Sequence, residues 1–174
     1  MSCHDQIPKR TDPLSDQQIP FEITRARRAG ARLAAVQALY EMEQGEKSAR
    51  EAIRNFMEDR LGIGPDEAPI EEADPDLFKA IVNAVVEHQA AIDAAIIGRL
   101  STGWRMTRLD VTMRALLRAA AAEFIAHEHL SNAVILDEYV SLAYDFFDEA
   151  EAKFANAVLD NVGKDLRAGE AAAT

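Results

Sequence analysis

Apolar residues recur at intervals of three and four along most of this chain, the spacing of one face of an α-helix. No segment shows the sustained period-two alternation that is typical of a β-strand. The pattern therefore predicts an all-α protein. Its helical stretches run over about residues 24–45, 48–61, 75–100, 109–124, 131–146 and 148–167. A break near His88 leaves open whether the third stretch is one helix or two.

Capping signals mark three of the predicted helix starts. Asp74 precedes Pro75, and proline at the first helical position loses no hydrogen bond. Ser131 is a candidate cap, and Asp148 with Glu151 three residues later has the form of a capping box. An acidic stretch rich in glycine and proline separates the second and third helices, and its breakers are Gly62, Gly64, Pro65 and Pro69.

The two ends of the chain differ in character from its middle. Residues 1–21 contain three prolines among polar residues and no apolar period, which predicts a disordered tail. Residues 22–167 contain all the predicted helices and form one domain. Residues 168–174 are mainly Ala, Gly and Glu, which predicts a frayed end.

Composition supports the helical prediction and restricts the function classes. Ala contributes much of the 48% hydrophobic content, and only 6% of the residues are aromatic. The formal charge of -11 excludes a protein that coats nucleic acid by bulk charge, although a local basic patch remains compatible with it. Cys3 is the single cysteine, and the chain shows no signal peptide and no membrane-length apolar run. We expect a cytoplasmic protein with no membrane association.

Positive charge is concentrated at the start of the first helix. No acid lies between Ile23 and Tyr40, and the cluster consists of Arg25, Arg27, Arg28 and Arg32. Cations there oppose the helix dipole, so a phosphate ligand would offset an unfavourable placement. Tyr40 lies roughly on the same side as Arg28 and Arg32 and could stack on a base. The alternative is a solvated arginine turn with a half-buried Tyr40.

Two further charged segments each have a simple structural alternative. A second basic segment contains Arg99, Arg105, Arg108, Arg114 and Arg118, which either contact RNA or pair with nearby carboxylates. Residues 119–152 then contain eight acids and neither Lys nor Arg. That acidic stretch either keeps the protein soluble or attracts a basic protein partner.

No pattern predicts a catalytic or metal centre. His127 and His129 flank Glu128, but two histidines in a turn lack further ligands at metal-site spacing. The sequence contains no phosphate loop, nucleophile elbow or H-E-x-x-H motif. We therefore expect a protein that is not an enzyme and needs no cofactor.

Three ordered sequence blocks resemble the NusB family. The first block reads R-L-A-A-V-Q-A-L-Y over residues 32–40. The second block consists of Trp104, Arg108-Leu109, Arg114, Leu117-Arg118 and Glu123-Phe124. The third reads K-F-A-N-A-V-L-D over residues 153–160 and is similar to the family's K-F-V-N-G-V-L-D. The chain departs from the family pattern at Tyr144 and Phe147, where lysine and glycine are frequent.

The resemblance implies two packed three-helix bundles plus an additional helix. It implies a transcription antitermination factor that binds boxA RNA with the ribosomal protein NusE and joins a complex on RNA polymerase at ribosomal RNA operons. The RNA-binding residues implied by position are Arg25, Arg27, Arg28, Arg32, Tyr40, Lys153, Phe154 and Asn156. The oligomeric state stays open, because some relatives form homodimers. A helical protein-interaction adaptor without an RNA role is the alternative.

Overall fold

A computed structural model describes residues 21–45, 47–60 and 73–172, and these ranges contain six α-helices and no strand. The helices are α1 (Phe21–Gly45), α2 (Ala49–Asn55), α3 (Pro75–Ile97), α4 (Val111–Ala126), α5 (Asn132–Phe146) and α6 (Glu149–Ala172). A π-helical segment, Phe56–Arg60, follows α2, and a short 3₁₀ turn, Met106–Arg108, precedes α4. The predicted all-α class is confirmed.

The predicted caps form in the structure. The Asp74 carboxylate accepts the backbone N–H groups of residues 76 and 77, and the Ser131 hydroxyl accepts that of Val134. Asp148 accepts the N–H of Glu151 at 2.9 Å. Ser48 and Glu51 form a further capping box, which our sequence analysis did not identify. Local side-chain chemistry therefore determines where these helices begin.

Some helix ends differ from the predicted positions. α1 begins at Phe21 rather than near Thr24, and α6 continues to Ala172 instead of ending near Arg167. The third stretch has a kink at the predicted break, because His88 has the non-helical φ -112° and ψ 18°. The predicted tail over 1–21 lies outside the described residues except for Phe21, which begins α1, and most of the acidic loop, at 61–72, lies outside them as well.

The fold consists of two sets of three helices packed on each other. α1, α2 and α3 contact one another, as do α4, α5 and α6, and α4 joins the sets by packing against α1 and α3. α4 suits this central position because its small side chains are buried, which permits close helix approach. Gly163 of α6 lies against the Phe124 ring, and a Cβ there would come within 2.8 Å of it. Alanine and glycine thus set the helix spacing in this core.

α3 is long and apolar enough, by length and composition alone, to cross a membrane. The structure gives a different reason for its hydropathy. α3 packs against α1, α4 and α6, and eight of its side chains are buried. These are Leu77, Phe78, Ile81, Val82, Ala84, Val85, Ile92 and Ile96. α3 is therefore a core helix of the described fold.

Candidate nucleic-acid interface

Arg32 lies inside the protein, in a buried ion pair with Glu123 of α4. The side chains of Arg32 and Glu123 are 3% and 0% exposed. Nε of Arg32 donates to Oε2 of Glu123 at 2.9 Å, and Nη2 donates to Oε1 at 2.6 Å. The hydroxyl of Tyr139, on α5, donates to the same Oε2 at 2.8 Å. We call Arg32, Glu123 and Tyr139 the buried triad; it ties α1, α4 and α5 together.

Protonation within the buried triad follows from burial and from its own charges. Burial alone lowers the pKa of Arg32, but the hydrogen bonds and charge of Glu123 outweigh it and raise that pKa above its usual value. Burial also raises the pKa of the Tyr139 hydroxyl well above 10.0, and the Glu123 charge adds to the effect. Arg32 therefore stays charged and Tyr139 stays a neutral donor.

The triad position of Arg32 corrects one expectation. We expected Arg28 and Arg32 to present one phosphate-binding face, but Arg32 faces the core and its charge is matched by Glu123. Glu138 lies 3.4 Å from its remaining guanidinium nitrogen. The guanidinium of Arg32 is buried and engaged by two carboxylates, so direct RNA contact by Arg32 does not fit the geometry.

The other three arginines of the cluster lie at or near the surface. Arg25 has 69% of its side chain exposed and contacts Glu138 at 3.2 Å. Arg27 is half-buried, and its carbonyl accepts the N–H of Asp74 at the start of α3. Arg28 lines a cleft of about 390 Å³ between α1 and α5. The start of α1 thus presents accessible positive charge beside the carboxylate of Glu138.

A second cleft, of about 310 Å³, joins Arg28 to the turn after α4. Its lining includes His127 and His129, whose rings pack edge to face at 5.5 Å, and Asp74 and Asp76. Nδ1 of His127 is buried with no hydrogen-bond partner. Burial lowers the pKa of His127, and the nearby charge of Glu123 only partly opposes this.

This lowered pKa predicts an acid sensitivity. The unfolded chain has an ordinary histidine pKa of about 6.5, so below that pH it binds a proton that the folded state resists. Stability from neutral His127 is therefore present above pH 6.5 and is lost as pH falls through the lower folded pKa. We expect His127→Gln to lose less stability between pH 7 and 5.5 than the wild type in urea titrations. Parallel losses in the two proteins would contradict this expectation.

Tyr40 borders a cleft of about 290 Å³ at the other end of α1. Its side chain is 41% exposed, and the same cleft is lined by Val36, Thr112 and Phe146. Arg28 precedes Tyr40 by twelve residues on α1, which corresponds to about 18 Å along the axis. Tyr40 is accessible to a ligand, as its predicted role requires, and that role stays a prediction.

The residues of the last motif lie at a neighbouring surface. Phe154 and Trp104 line a cleft of about 530 Å³, and their ring centroids are 6.4 Å apart. Lys153 forms an exposed ion pair with Glu149 at 2.8 Å, and Asn156 is exposed. The first turn of α4 separates this cleft from that of Tyr40. The candidate residues therefore form two neighbouring aromatic surfaces and a more distant arginine turn.

Most of the second basic segment is held in ion pairs. Arg118 donates to both oxygens of Asp93 at 2.8 and 3.0 Å, Arg114 pairs with Glu43, and Arg99 pairs with Asp165. Arg105 and Arg108 are exposed, and neither has an ion pair with another described residue. Of the two alternatives for this segment, pairing with nearby carboxylates is thus correct for Arg99, Arg114 and Arg118.

The comparisons with known proteins identify the family. The NusB family model matches residues 29–164. A transcription antitermination protein NusB from Hyphomonas neptunium is 76% identical over 152 residues, which are 87% of this chain and 99% of the relative. Another from Sphingopyxis alaskensis is 45% identical, over 80% of this chain and 94% of its own length. The chain belongs to the NusB family.

A solved structure extends the NusB-family comparison to a complex. The NusB chain of "Crystal Structure of Antitermination Factors NusB and NusE in complex with dsRNA" is 27% identical and superposes with a TM-score of 0.65. The match covers 79% of this chain and 96% of that one. The NusB resemblance seen in the sequence is therefore confirmed at the level of family and fold.

Sequence reasoning missed the partners of Arg32 in this NusB-family fold. Glu123 interrupts an otherwise apolar run in α4, and an acid at such a position signals an internal charge pair. Phe146 was not among the predicted contact residues, yet it is 40% exposed and lines the same cleft as Tyr40. No local pattern shows that either residue comes close to α1.

Proposed function

We propose that this protein is a transcription antitermination factor that binds boxA-type RNA together with the ribosomal protein NusE. It acts in the cytoplasm, as part of the antitermination complex on RNA polymerase at ribosomal RNA operons. It acts by binding rather than by catalysis. The observation that carries the proposal is the accessible arginine turn of α1 with exposed Tyr40 on the same helix, within a NusB-family fold.

The proposed contacts divide by chemistry. Arg25, Arg27 and Arg28 contact phosphates, because their cationic side chains lie at or near the surface at the start of α1. Tyr40 stacks on a base, and an exposed aromatic ring suits that role. Lys153, Phe154 and Asn156 extend the contacts at the neighbouring aromatic cleft. Arg32 serves as a positioning residue, which fixes α1 through the buried triad.

Binding of a short boxA-like RNA, with and without NusE, tests the proposal. A scrambled RNA of equal length is the control, and fluorescence anisotropy is followed across a salt series. We expect sequence-dependent binding that NusE strengthens and salt weakens. An adaptor without an RNA role would bind NusE while treating both RNAs alike, and that result would replace the proposal.

The acidic stretch over 119–152 is proposed as an attractive surface for basic NusE. Glu123 is buried and Glu138 is only 16% exposed, so neither offers free charge to a partner. Six exposed acids remain: Glu128, Asp137, Asp145, Asp148, Glu149 and Glu151. Their charge would act mainly on the encounter rate, since rim charges steer association.

We expect lysine substitutions at Asp145 and Glu149 to slow NusE association at low salt and to have little effect at high salt. Stopped-flow association kinetics measure the rate. The matched control is Asp76→Lys, at the exposed start of α3. An unchanged rate for the α5 and α6 variants would leave the acidic stretch as a feature that maintains solubility.

A further inference from the structure

We propose that Arg167, on α6, is a positioning residue for RNA binding, because it fixes the turn between α4 and α5 and that turn holds Arg28 in place. The inference rests on the proposed RNA-binding function and adds to it a residue outside the candidate contact set. Residues 127–130 form this segment, which we call the α4–α5 turn. Arg167 acts on RNA affinity through Arg28 and does not contact RNA itself.

The guanidinium of Arg167 binds three backbone carbonyls at the end of α4 and in the α4–α5 turn. Nε donates to the carbonyl oxygen of Phe124 at 3.1 Å, Nη1 to that of Leu130 at 2.6 Å, and Nη2 to that of His127 at 3.0 Å. The last carbonyls of a helix have no partner within the helix, and a cation there also complements the helix dipole. The planar guanidinium has enough donors to bind all three at once. Arg167 therefore ties both ends of the turn to α6.

Packing between α4 and α6 holds Arg167 in this position. The central carbon of its guanidinium lies 5.6 Å from the centroid of the Phe124 ring, which is 1% exposed. Gly163 lies one helical turn earlier on α6, where a Cβ would come within 2.8 Å of the same ring. The absent side chain lets α6 approach α4 closely. The half-buried Arg167 is thus directed at backbone oxygens, which leaves it unsuited to a phosphate.

The α4–α5 turn forms one side of both clefts that Arg28 lines. Leu130 lines the clefts of about 310 and 390 Å³, and His127 lines the first of them. Burial is the main cause of the lowered pKa of His127, and the positive charge of Arg28 adds to it, so the two side chains are close. Within the described ranges Arg28 has no hydrogen bond or ion pair. The cleft walls are therefore what restrict its side chain.

A restrained Arg28 binds a phosphate at a lower entropic cost than a free one. A long cationic side chain loses rotamer freedom when it contacts a ligand, and walls that already restrict it reduce that loss. Without Arg167, three carbonyl oxygens lose their donor and the turn is no longer tied to α6. Leu130 and His127 then move more freely beside Arg28. The contact between Arg28 and RNA weakens although Arg28 itself is unchanged.

A double-mutant cycle between Arg167→Met and Arg28→Ala tests the inference, with boxA-like RNA and NusE in a salt series. Arg167→Met alone should reduce the log–log salt slope by up to roughly 0.7, which over one decade of salt is about a fivefold smaller change in RNA affinity. In the Arg28→Ala background the same substitution should have no further effect, because the contact that it weakens is already absent. In the Tyr40→Ala background its full effect should remain.

Two further variants separate positioning from charge and from loss of fold. Lys164→Met is the matched control, because Lys164 is an exposed cation on α6 whose partner is Asp160 at 2.8 Å, and it should leave the slope unchanged. Arg167→Lys keeps the charge without the planar guanidinium and should show part of the same coupled loss. It also serves if Arg167→Met does not fold. Melting curves confirm that each variant is folded where binding is measured.

Amide exchange at Leu130 measures the turn directly. Its N–H is donated to the carbonyl of His127 at 3.0 Å, within the segment that Arg167 ties down. Exchange in Arg167→Met should be at least about tenfold faster than in the wild type, the factor for one lost hydrogen bond from a charged donor. Unchanged exchange would mean that Arg167 does not hold the turn, and the inference would be wrong.

Each binding outcome separates this inference from the proposed function. If Arg167→Met weakens RNA binding equally with and without Arg28, Arg167 acts as a phosphate contact or through the fold, and the inference is overturned. It is also overturned if Arg167→Met has no effect, or if Arg28→Ala leaves the slope unchanged, since there is then no contact to position. RNA binding by the wild type stands in all of these cases. Failure of the wild type to bind RNA overturns the proposed function itself.

Discussion

Replacing Glu123 with alanine is expected to lower the free energy of unfolding by about 3–5 kcal/mol, because it leaves Arg32 charged and unpaired in the interior. The triad geometry supports the upper part of this range. Arg32 makes several hydrogen bonds to the carboxylate, and Tyr139 loses its acceptor at the same time. Urea unfolding followed by circular dichroism measures the change.

The matched control is Asp165→Ala, which removes an ion pair of similar geometry at the surface. Arg99 and Asp165 are 41% and 40% exposed, so solvent screens their attraction. We expect a loss below about 1 kcal/mol for this variant. Similar losses for the two alanine variants would contradict the structural role assigned to the buried pair.

A hydrophobic replacement of the pair separates structure from RNA binding. Arg32→Met combined with Glu123→Leu and Tyr139→Phe removes both charges together with the buried hydroxyl that donates to Glu123, and apolar replacement of a whole buried ion-pair network is often neutral for stability or favourable. If Arg32 only positions α1, this triple variant keeps RNA affinity and its salt dependence. A reduced salt slope in a stably folded triple variant would restore Arg32 as a phosphate contact.

The sequence predicted the features that depend on neighbouring residues. Asp74 and Ser131 were recognised as caps because a cap is defined within a few residues, and the kink at His88 matched a visible break in the pattern. The position of Arg32 could not be predicted in the same way. Its spacing from Arg28 indicates a shared face of α1, but Glu123 is separated from Arg32 by 91 residues.

In the candidate interface, too, features within one helix were predictable and contacts between helices were not. Helical spacing and the family resemblance both predicted Tyr40 as a contact residue, and the structure shows its side chain accessible at a cleft. Phe146 and Thr112 come from two other helices, and only their packing brings them beside α1. Sequence spacing describes one face of one helix, whereas a binding surface is assembled from several helices.

The RNA-binding claim predicts different signatures for Arg28 and Tyr40. Arg28→Ala should reduce the log–log salt slope of RNA binding by roughly 0.7, as loss of one single-strand phosphate contact requires. Tyr40→Ala should cost about 1–3 kcal/mol of binding energy with an unchanged slope, since stacking releases no counterions. Salt titrations of RNA affinity, with melting curves for each variant, measure both effects.

Arg50→Ala is the control for these variants, because Arg50 is an exposed arginine on α2 that lines none of the clefts containing the candidate contacts. It removes the same charge, so any general effect of net charge appears in it equally. If Arg28→Ala and Arg50→Ala behave alike, the arginine turn is not the phosphate site. Arg105 and Arg108 then become the next candidates, because both are exposed and neither pairs with a described carboxylate. If instead the RNA affinity of Tyr40→Ala falls only in proportion to its melting temperature, Tyr40 stabilises the fold and does not stack on a base.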